Sequence, residues 1–224
     1  MFSDYRDNLQ FLHKQVNPKI YLEIGVETGR SLILANDDTL AIGVDPQPMI
    51  QVPLKSRTFV FKKTSDDFFK NDANQILDGS TIDLAFIDGM HLFEFVLRDF
   101  INVEKYSSKN SIITVHDILP KSELTASRVR ETGFWTGDVY KFVLILKKYR
   151  PDLKMFNSNI APAGLAIIGN LNPESKILEE KYDAIVDEFM NFSYDELEKD
   201  KENMLSIEAD SKFIDCIQSF IVNF

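Results

Sequence analysis

Ile20-Tyr21-Leu22-Glu23-Ile24-Gly25-Val26-Glu27-Thr28-Gly29-Arg30-Ser31 is the stretch that decides the fold. Its first five residues read as a short buried strand, Gly25 and Gly29 bracket a tight turn, and Ser31 begins a helix. A strand that passes through such a turn into a helix opens an α/β sheet, and ligands bind such sheets outside the carboxyl ends of the strands. The stretch therefore predicts a cofactor pocket at Gly25, with the ends of later strands beside it.

Outward from this stretch, Leu40–Val44, Thr58–Phe61, Ile82–Ile87 and Ser111–Val115 are short, apolar and β-branched, as parallel strands covered on both faces must be. Leu9, Leu12, His13 and Val16 predict an amphipathic helix over residues 4–16, with His13 as an ordinary member of it. Phe93, Val96, Leu97, Phe100 and Val103 predict another over 92–106, and Val139, Phe142, Val143 and Leu146 a third, with Asp138 as N-cap and Pro151 as stop. Pro46, Pro48 and Pro53 leave little regular helix in 46–57. Leu153–Phe156 and Leu165–Ile168 are joined by a link (157–164) too short for a parallel crossover, so they form an antiparallel hairpin. The expected architecture is a Rossmann-like α/β fold with a seven-stranded, mostly parallel sheet. An N-terminal helix (1–19) precedes the binding domain (20–169). An acidic extension (170–224) follows, in which Ile177, Tyr182, Ile185, Val186, Phe189 and Met190 mark two or three helices.

The 224 residues, 44% of them hydrophobic, suffice for one substantial core. Lys+Arg 25 against Asp+Glu 35 leaves a net charge of −10, which argues against nucleic acid and anionic membranes as partners. No apolar run approaches the ~18 residues of a membrane span, and the charged N-terminus lacks the apolar core of a signal peptide. Cys216 stands alone, so no intramolecular disulfide forms; it is expected buried and inert on a C-terminal helix, in a cytoplasmic protein. Self-association stays open.

A dinucleotide fingerprint needs a middle glycine where this chain has Glu27, and a carboxylate there would repel a pyrophosphate. S-adenosylmethionine carries no phosphate and presents a sulfonium and an ammonium. Residues 23–31 resemble the first motif of class I S-adenosylmethionine-dependent methyltransferases, with Gly25 and Gly29 in place and Glu27 in the manner of the sugar and natural-product O-methyltransferases. The resemblance implies that Glu23, Gly25, Glu27, Gly29 and Ser31 surround the cofactor. Asp45, closing the second strand 20 positions after Gly25, suits the two ribose hydroxyls, as it would in any Rossmann-like nucleoside site. Ser65 and Asp66 resemble the family's adenine-contacting position and would equally suit a helix start.

The fourth strand ends in Asp88-Gly89-Met90-His91 and the fifth in His116-Asp117, so four ionisable side chains converge on the edge that carries Gly25. Here the chain is similar to the macrocin and mycinamicin type of sugar O-methyltransferase and to methyltransferase family 24. That resemblance implies a divalent metal, magnesium or manganese, on Asp88 and Asp117, with His91 as general base. His116 stands where the sugar enzymes have a carboxylate; as a third ligand, its imidazole suits manganese, iron or zinc better than magnesium. The implied reaction is methyl transfer to a hydroxyl of a small molecule, a sugar or glycosylated metabolite, with the metal lowering the hydroxyl pKa and His91 taking the proton. The same residues leave open a metal-dependent oxygenase or hydrolase using Asp88, His91, His116 and Asp117, an NAD-dependent oxidoreductase, and a catalytically idle binding module. The polar loop 118–137, with Arg128, Arg130 and Trp135, reads as a substrate lid in which Trp135 either stacks on a flat acceptor or clasps the loop. The run Trp135 to Lys141 resembles an architectural motif of the same family.

Overall fold

The computed structural model describes residues 2–55 and 57–221. The first half runs α1 (Tyr5–Val16), β1 (Ile20–Ile24), β2 (Leu40–Val44), β3 (Thr58–Phe61), α2 (Ser65–Asn71), α3 (Ala73–Leu77), β4 (Ile82–Ile87) and α4 (Phe93–Lys105). There follow β5 (Ser107–His116), α5 (Glu123–Ala126), α6 (Tyr140–Tyr149), β6 (Lys154–Ser158) and β7 (Leu165–Gly169). The tail adds α7 (Ile177–Glu180), α8 (Tyr182–Met190), α9 (Tyr194–Glu198), α10 (Lys201–Met204), β8 (Ile207–Glu208) and α11 (Phe213–Ile221).

The sheet order is β3-β2-β1-β4-β5-β7-β6-β8, and β7 is the one strand that runs against its neighbours. The chain thus forms the expected mostly parallel sheet with a reversed strand near one edge, extended by the two-residue β8 alongside β6. β1 lies between β2 and β4, so the crossover direction changes there and a crevice opens above its carboxyl end.

Alternation along β1 sorts its side chains between two cores. Ile20, Leu22 and Ile24 pack with Phe93, Val96 and Phe100 of α4 and Phe142 and Val143 of α6. Tyr21 joins Leu9 and Leu12 of α1 and Phe213 and Ile217 of α11 on the other face, and Glu23 shares that side. The tail is woven into both faces. Ile185 and Phe189 of α8 extend the first core, while Phe213 meets Phe2 and Phe11 edge-on at 5.3 and 5.7 Å in the second. Cys216 lies half-buried on α11. Among the described residues no helix is long and apolar enough to cross a membrane.

Three local expectations need correction. The turn after β1 leads only into a single 3-10 turn at Leu32–Leu34, because α1 already covers this face and packs on Leu32 and Ala35. Asp138 does not cap α6; its carboxylate accepts the Phe93 N–H and pairs with Arg128 and Lys141, which uses it in tertiary contacts instead. β5 begins at Ser107, earlier than the apolar run, because Ser111 Oγ donates to the Ile82 carbonyl at 2.6 Å and bridges an irregularity in the register with β4.

Candidate active site

A cleft of about 920 Å³ runs along the carboxyl ends of β1, β2, β4 and β5. Gly25 forms its floor. Its φ is +88°, and a Cβ there would lie 2.0 Å from the Asp88 carbonyl oxygen, so only glycine lets the ends of β1 and β4 approach this closely. The Gly25 N–H donates to Val44 and the Asp88 N–H to Ile24, at 2.9 and 2.8 Å, which pins three strand ends together.

Glu27 takes the left-handed conformation, φ 45°, at the position where glycine is usual. Its N–H donates to Asp45 Oδ2 at 2.8 Å, and the Gln47 N–H donates to Oδ1 at 2.6 Å. The Asp45 carboxylate is thereby fixed at the cleft, and each oxygen keeps further acceptor capacity. Ser31, Ser65 and Asp66 also line the cleft.

Glu23 and Gly29 lie beneath the cleft instead of lining it. Glu23 is fully buried on the α1 face and accepts hydrogen bonds from Tyr21 Oη (2.6 Å) and Ser31 Oγ (2.7 Å). Burial raises its pKa to about 8 in spite of those two donors. Its contribution is to hold Ser31 in place. Gly29, at φ +81°, seats the turn on Ile50 and Val52.

At the other end of the cleft the predicted constellation assembles. His91 Nδ1 lies 2.8 Å from the Trp135 carbonyl and 3.1 Å from Asp117 Oδ2, and its Nε2 is 3.6 Å from Asp88 Oδ1. A carbonyl oxygen only accepts, so the ring proton sits on Nδ1 and Nε2 is left to receive another. Burial alone would lower the His91 pKa, but a hydrogen bond to the Asp88 carboxylate and the charge of Asp117 raise it. Trp135 stacks on the imidazole at 5.1 Å and donates Nε1–H to Ser127 at 2.6 Å, so it clasps the lid onto His91. Gly137 permits this: its φ is +55°, and a Cβ would meet the His91 carbonyl oxygen at 1.7 Å.

His116 turns Nδ1 toward Asp88 Oδ1 (3.3 Å) and Asp117 Oδ1 (3.5 Å), and its buried Nε2 has no partner. Burial opposes its protonation, yet the two carboxylates push its pKa up to about 10. Against its own burial, the Asp88 carboxyl is held well below the usual range by His116 and His91. Donor atoms of Asp88, His116 and Asp117 all lie within 4.8 Å of one another. Two carboxylates and an imidazole this close fit a divalent cation of the manganese type.

Several cleft residues were not anticipated. Tyr5 and Arg6, at the start of α1, also line the cleft, and Tyr5 packs on the His116 ring at 4.1 Å. Nothing in their sequence surroundings points there, since their placement depends on how α1 docks. Asp99 and Phe95 of α4 line the other end. Asp99 did carry a signal: it falls three residues after Val96 and four before Val103, on the buried stripe of its helix.

The comparisons with known proteins agree with this fold. A family model described as "Methyltransferase domain", family 24, matches residues 22–118. No curated protein matches the sequence. Among solved structures, cofactor-bound Rv0187 from MTB is 16% identical, with 76% of this chain and 80% of that one covered and a TM-score of 0.60. The O-methyltransferase TomG from Streptomyces achromogenes, involved in tomaymycin synthesis and solved with SAM, is 14% identical over 75% and 80%, with a TM-score of 0.55. An O-methyltransferase from Bacillus cereus in complex with SAH is 14% identical over 73% and 79%, with a TM-score of 0.54. At such identities the likeness is one of fold. The chain shares the fold of these methyltransferases, and its residues 22–118 are similar to the methyltransferase domain of family 24.

Proposed function

We propose that this protein transfers the methyl group of S-adenosylmethionine to a hydroxyl of a small acceptor, a sugar or glycosylated metabolite, using His91 as general base beside a divalent metal held by Asp88, His116 and Asp117. The observation that carries this reading is the joining of two halves in one cleft: Asp45 and Ser65 at one end, His91 and the Asp88–His116–Asp117 cluster at the other. Glu27, Asp45, Asp66, Asp88, Asp99 and Asp117 line the cleft against Arg6, Arg30 and Arg130. An excess of carboxylates favours a sulfonium and disfavours a pyrophosphate, which sets the nicotinamide alternative aside. The SAM and SAH bound to the TomG and Bacillus cereus enzymes support the same cofactor, and their O-methyltransferase names support a hydroxyl acceptor. The sugar acceptor rests on the resemblance of residues 88–91 and 116–117.

A bound divalent cation would supply positive charge that lowers the pKa of the acceptor hydroxyl. The chain's own groups do the rest. His91 Nε2 takes the hydroxyl proton, while the Nδ1–H bond to Trp135 holds the ring in one tautomer. Asp117, 3.1 Å away, stabilises the imidazolium that results. Trp135 covers one face of the imidazole against water. Asp45 orients the cofactor through its ribose, leaving acceptor and methyl in line.

The test is calorimetric titration of the full chain with S-adenosylhomocysteine, followed by transfer of labelled methyl from S-adenosylmethionine to a panel of sugars and glycosides with manganese present. Binding, with transfer that His91→Ala abolishes, is the expected result. Absence of both a binding heat and a rise in melting temperature would sink the reading.

A further inference from the structure

The lid, residues 118–137, has little core of its own. Its helix, α5, is four residues long, and Val129 within it is 64% exposed. A loop of this length loses much conformational entropy when it orders, so contacts from outside must hold it in one place. What it brings to the site is Trp135, whose ring stacks on His91 and whose carbonyl accepts from Nδ1. The acidic extension has no part in the proposed mechanism, yet three of its helices reach the back of this lid.

The first contact comes from Tyr182 of α8, which donates its hydroxyl to the Glu94 carbonyl at 2.8 Å and accepts from Arg98 Nη1 at 3.2 Å. This fixes the first turn of α4, where the Glu94 carboxylate pairs with Arg128 of the lid. The second lies at the other end of α8. Lys141, 3% exposed, donates to the Met190 carbonyl at 3.1 Å and pairs with Asp138 at 3.2 Å, and Asp138 accepts from Arg128 at 2.7 Å. An ammonium suits the unpaired carbonyls at the C-terminus of a helix, so α8 fixes Lys141 while Lys141 fixes Asp138. The third is at the lid's entry, where Lys201 of α10 donates to the Pro120 carbonyl at 3.3 Å and α9 lies against α5. Both carboxylates that hold Arg128 are therefore backed by α8.

We propose that the C-terminal extension is a strap for the lid, with Tyr182 and Lys201 as positioning residues that act through Glu94 and Pro120 to keep Trp135 seated on His91. What the seated Trp135 does for an acceptor rests on the methyl-transfer reading; the seating itself does not.

Trp135 is the only tryptophan of the chain, so its indole N–H, bonded to the Ser127 carbonyl, gives a single NMR signal whose hydrogen exchange measures lid opening. The experiment follows that signal in the full chain. Tyr182→Phe and Lys201→Met each delete a polar group and keep most of the side chain's bulk. One hydrogen bond shifts an opening equilibrium about two- to tenfold, so the double variant should exchange its indole proton at least about fivefold faster than wild type. A merely structural loss would accelerate core amides such as Leu22 of β1 and leave the locally opening indole where it was. Glu188→Gln is the control: it removes the contacts of α8 with Lys148 and Tyr149 of α6, and should change the indole rate less than about twofold. In wild type the amides of α8 should be at least as protected as the indole, a comparison that decides the matter even if the double variant fails to fold. A folded double variant within twofold of wild type, an equal acceleration in Glu188→Gln, or wild-type α8 amides that exchange more freely than the indole would each overturn the strap. No cofactor or acceptor enters the experiment, so its failure is distinct from a failure of the methyl-transfer reading.

Discussion

Replacing Gly25 by alanine should damage stability and cofactor binding together, and the structure gives the size of the effect. At φ +88° an L-residue costs about 1–2 kcal/mol. The new Cβ would sit 2.0 Å from the Asp88 carbonyl oxygen and 2.4 Å from its carbon, both backbone atoms that no rotamer change can move. The ends of β1 and β4 must part by roughly 1 Å to reach ordinary contact, which strains or breaks the 2.8 Å bond from the Asp88 N–H to Ile24, worth about 0.5–1.5 kcal/mol. The total is about 3 kcal/mol, a fall of about 6–12 °C in melting temperature for a chain of this size. Because Asp88 moves with the strand, S-adenosylhomocysteine should bind at least tenfold more weakly, given that about 1.4 kcal/mol is a factor of ten. Gly29→Ala is the control. It meets only the flexible ends of Val52 and Ile50, at 3.2 and 3.3 Å, so it should cost the conformational term of about 1–2 kcal/mol and little more. Thermal and urea unfolding of both variants, with calorimetry, decide the matter. If Gly25→Ala were no less stable than Gly29→Ala and bound the ligand normally, the close approach of β1 and β4 would not be what Gly25 is for.

Other consequences follow from particular contacts. Arg150→Met should lose about 3–5 kcal/mol in urea unfolding, because Glu104, 4% exposed and held by Arg150 at 2.6 and 2.9 Å, would be left buried without a counter-charge and with only the Asn172 N–H as partner; a loss under 1 kcal/mol would show that water or a neighbour takes its place. Glu23 is raised to about 8 in the folded chain, so its contribution to stability is full below its unfolded value of 4.5 and is lost as pH climbs through 8. Glu23→Gln should therefore melt progressively higher relative to wild type between pH 5 and 8.5, and parallel melting curves would contradict the buried carboxyl's role. Asp138→Asn removes the charge that joins Arg128 and Lys141 to the Phe93 N–H, so trypsin should cleave the lid around Arg128 and Arg130 several-fold faster; an unchanged cleavage rate would mean that the Arg128–Glu94 pair and Trp135 suffice to hold the lid. His116→Asp should shift metal preference from manganese toward magnesium in calorimetric titrations, since magnesium favours oxygen donors, and an unchanged ratio would place His116 outside the ligand set.

The sequence was most legible where structure is local. The bounds of β1 to β4 follow directly from apolar runs closed by turn residues, and the hairpin of β6 and β7 from a link too short for a crossover. It misled where a residue serves a distant partner. Asp138 has the chemistry of an N-cap but faces α4 and the lid, and the turn after β1 cannot become a helix because α1, far from it in pattern, fills that space. Glu23 shows how a motif and a periodicity can conflict. The motif put it with the cofactor, whereas strand alternation already placed it beside Tyr21, on the face away from Leu22 and Ile24.

The same alternation bears on how the proposed site brings His116 and Asp117 to Asp88. Successive strand residues point to opposite faces, so His116 and Asp117 should diverge, and a sequence that ends a strand in His-Asp does not by itself bring both to Asp88. Thr114 and His116 follow the α1 side of β5, opposite Ile113 and Val115, and this is why Tyr5 packs on the imidazole. Asp117 then leaves the strand at φ +63°, a left-handed conformation that aspartate tolerates better than most residues. That one reversal swings its carboxylate back, with Oδ1 3.5 Å from His116 Nδ1 and Oδ2 3.1 Å from His91 Nδ1. The constellation depends on a strand that breaks its own alternation at its last step, so the chemistry at position 117 requires a carboxylate on a residue able to adopt positive φ. Asparagine there would keep the turn and lose the charge, while glutamate would keep the charge and strain the turn. These two substitutions separate the geometric part of the site from its electrostatic part.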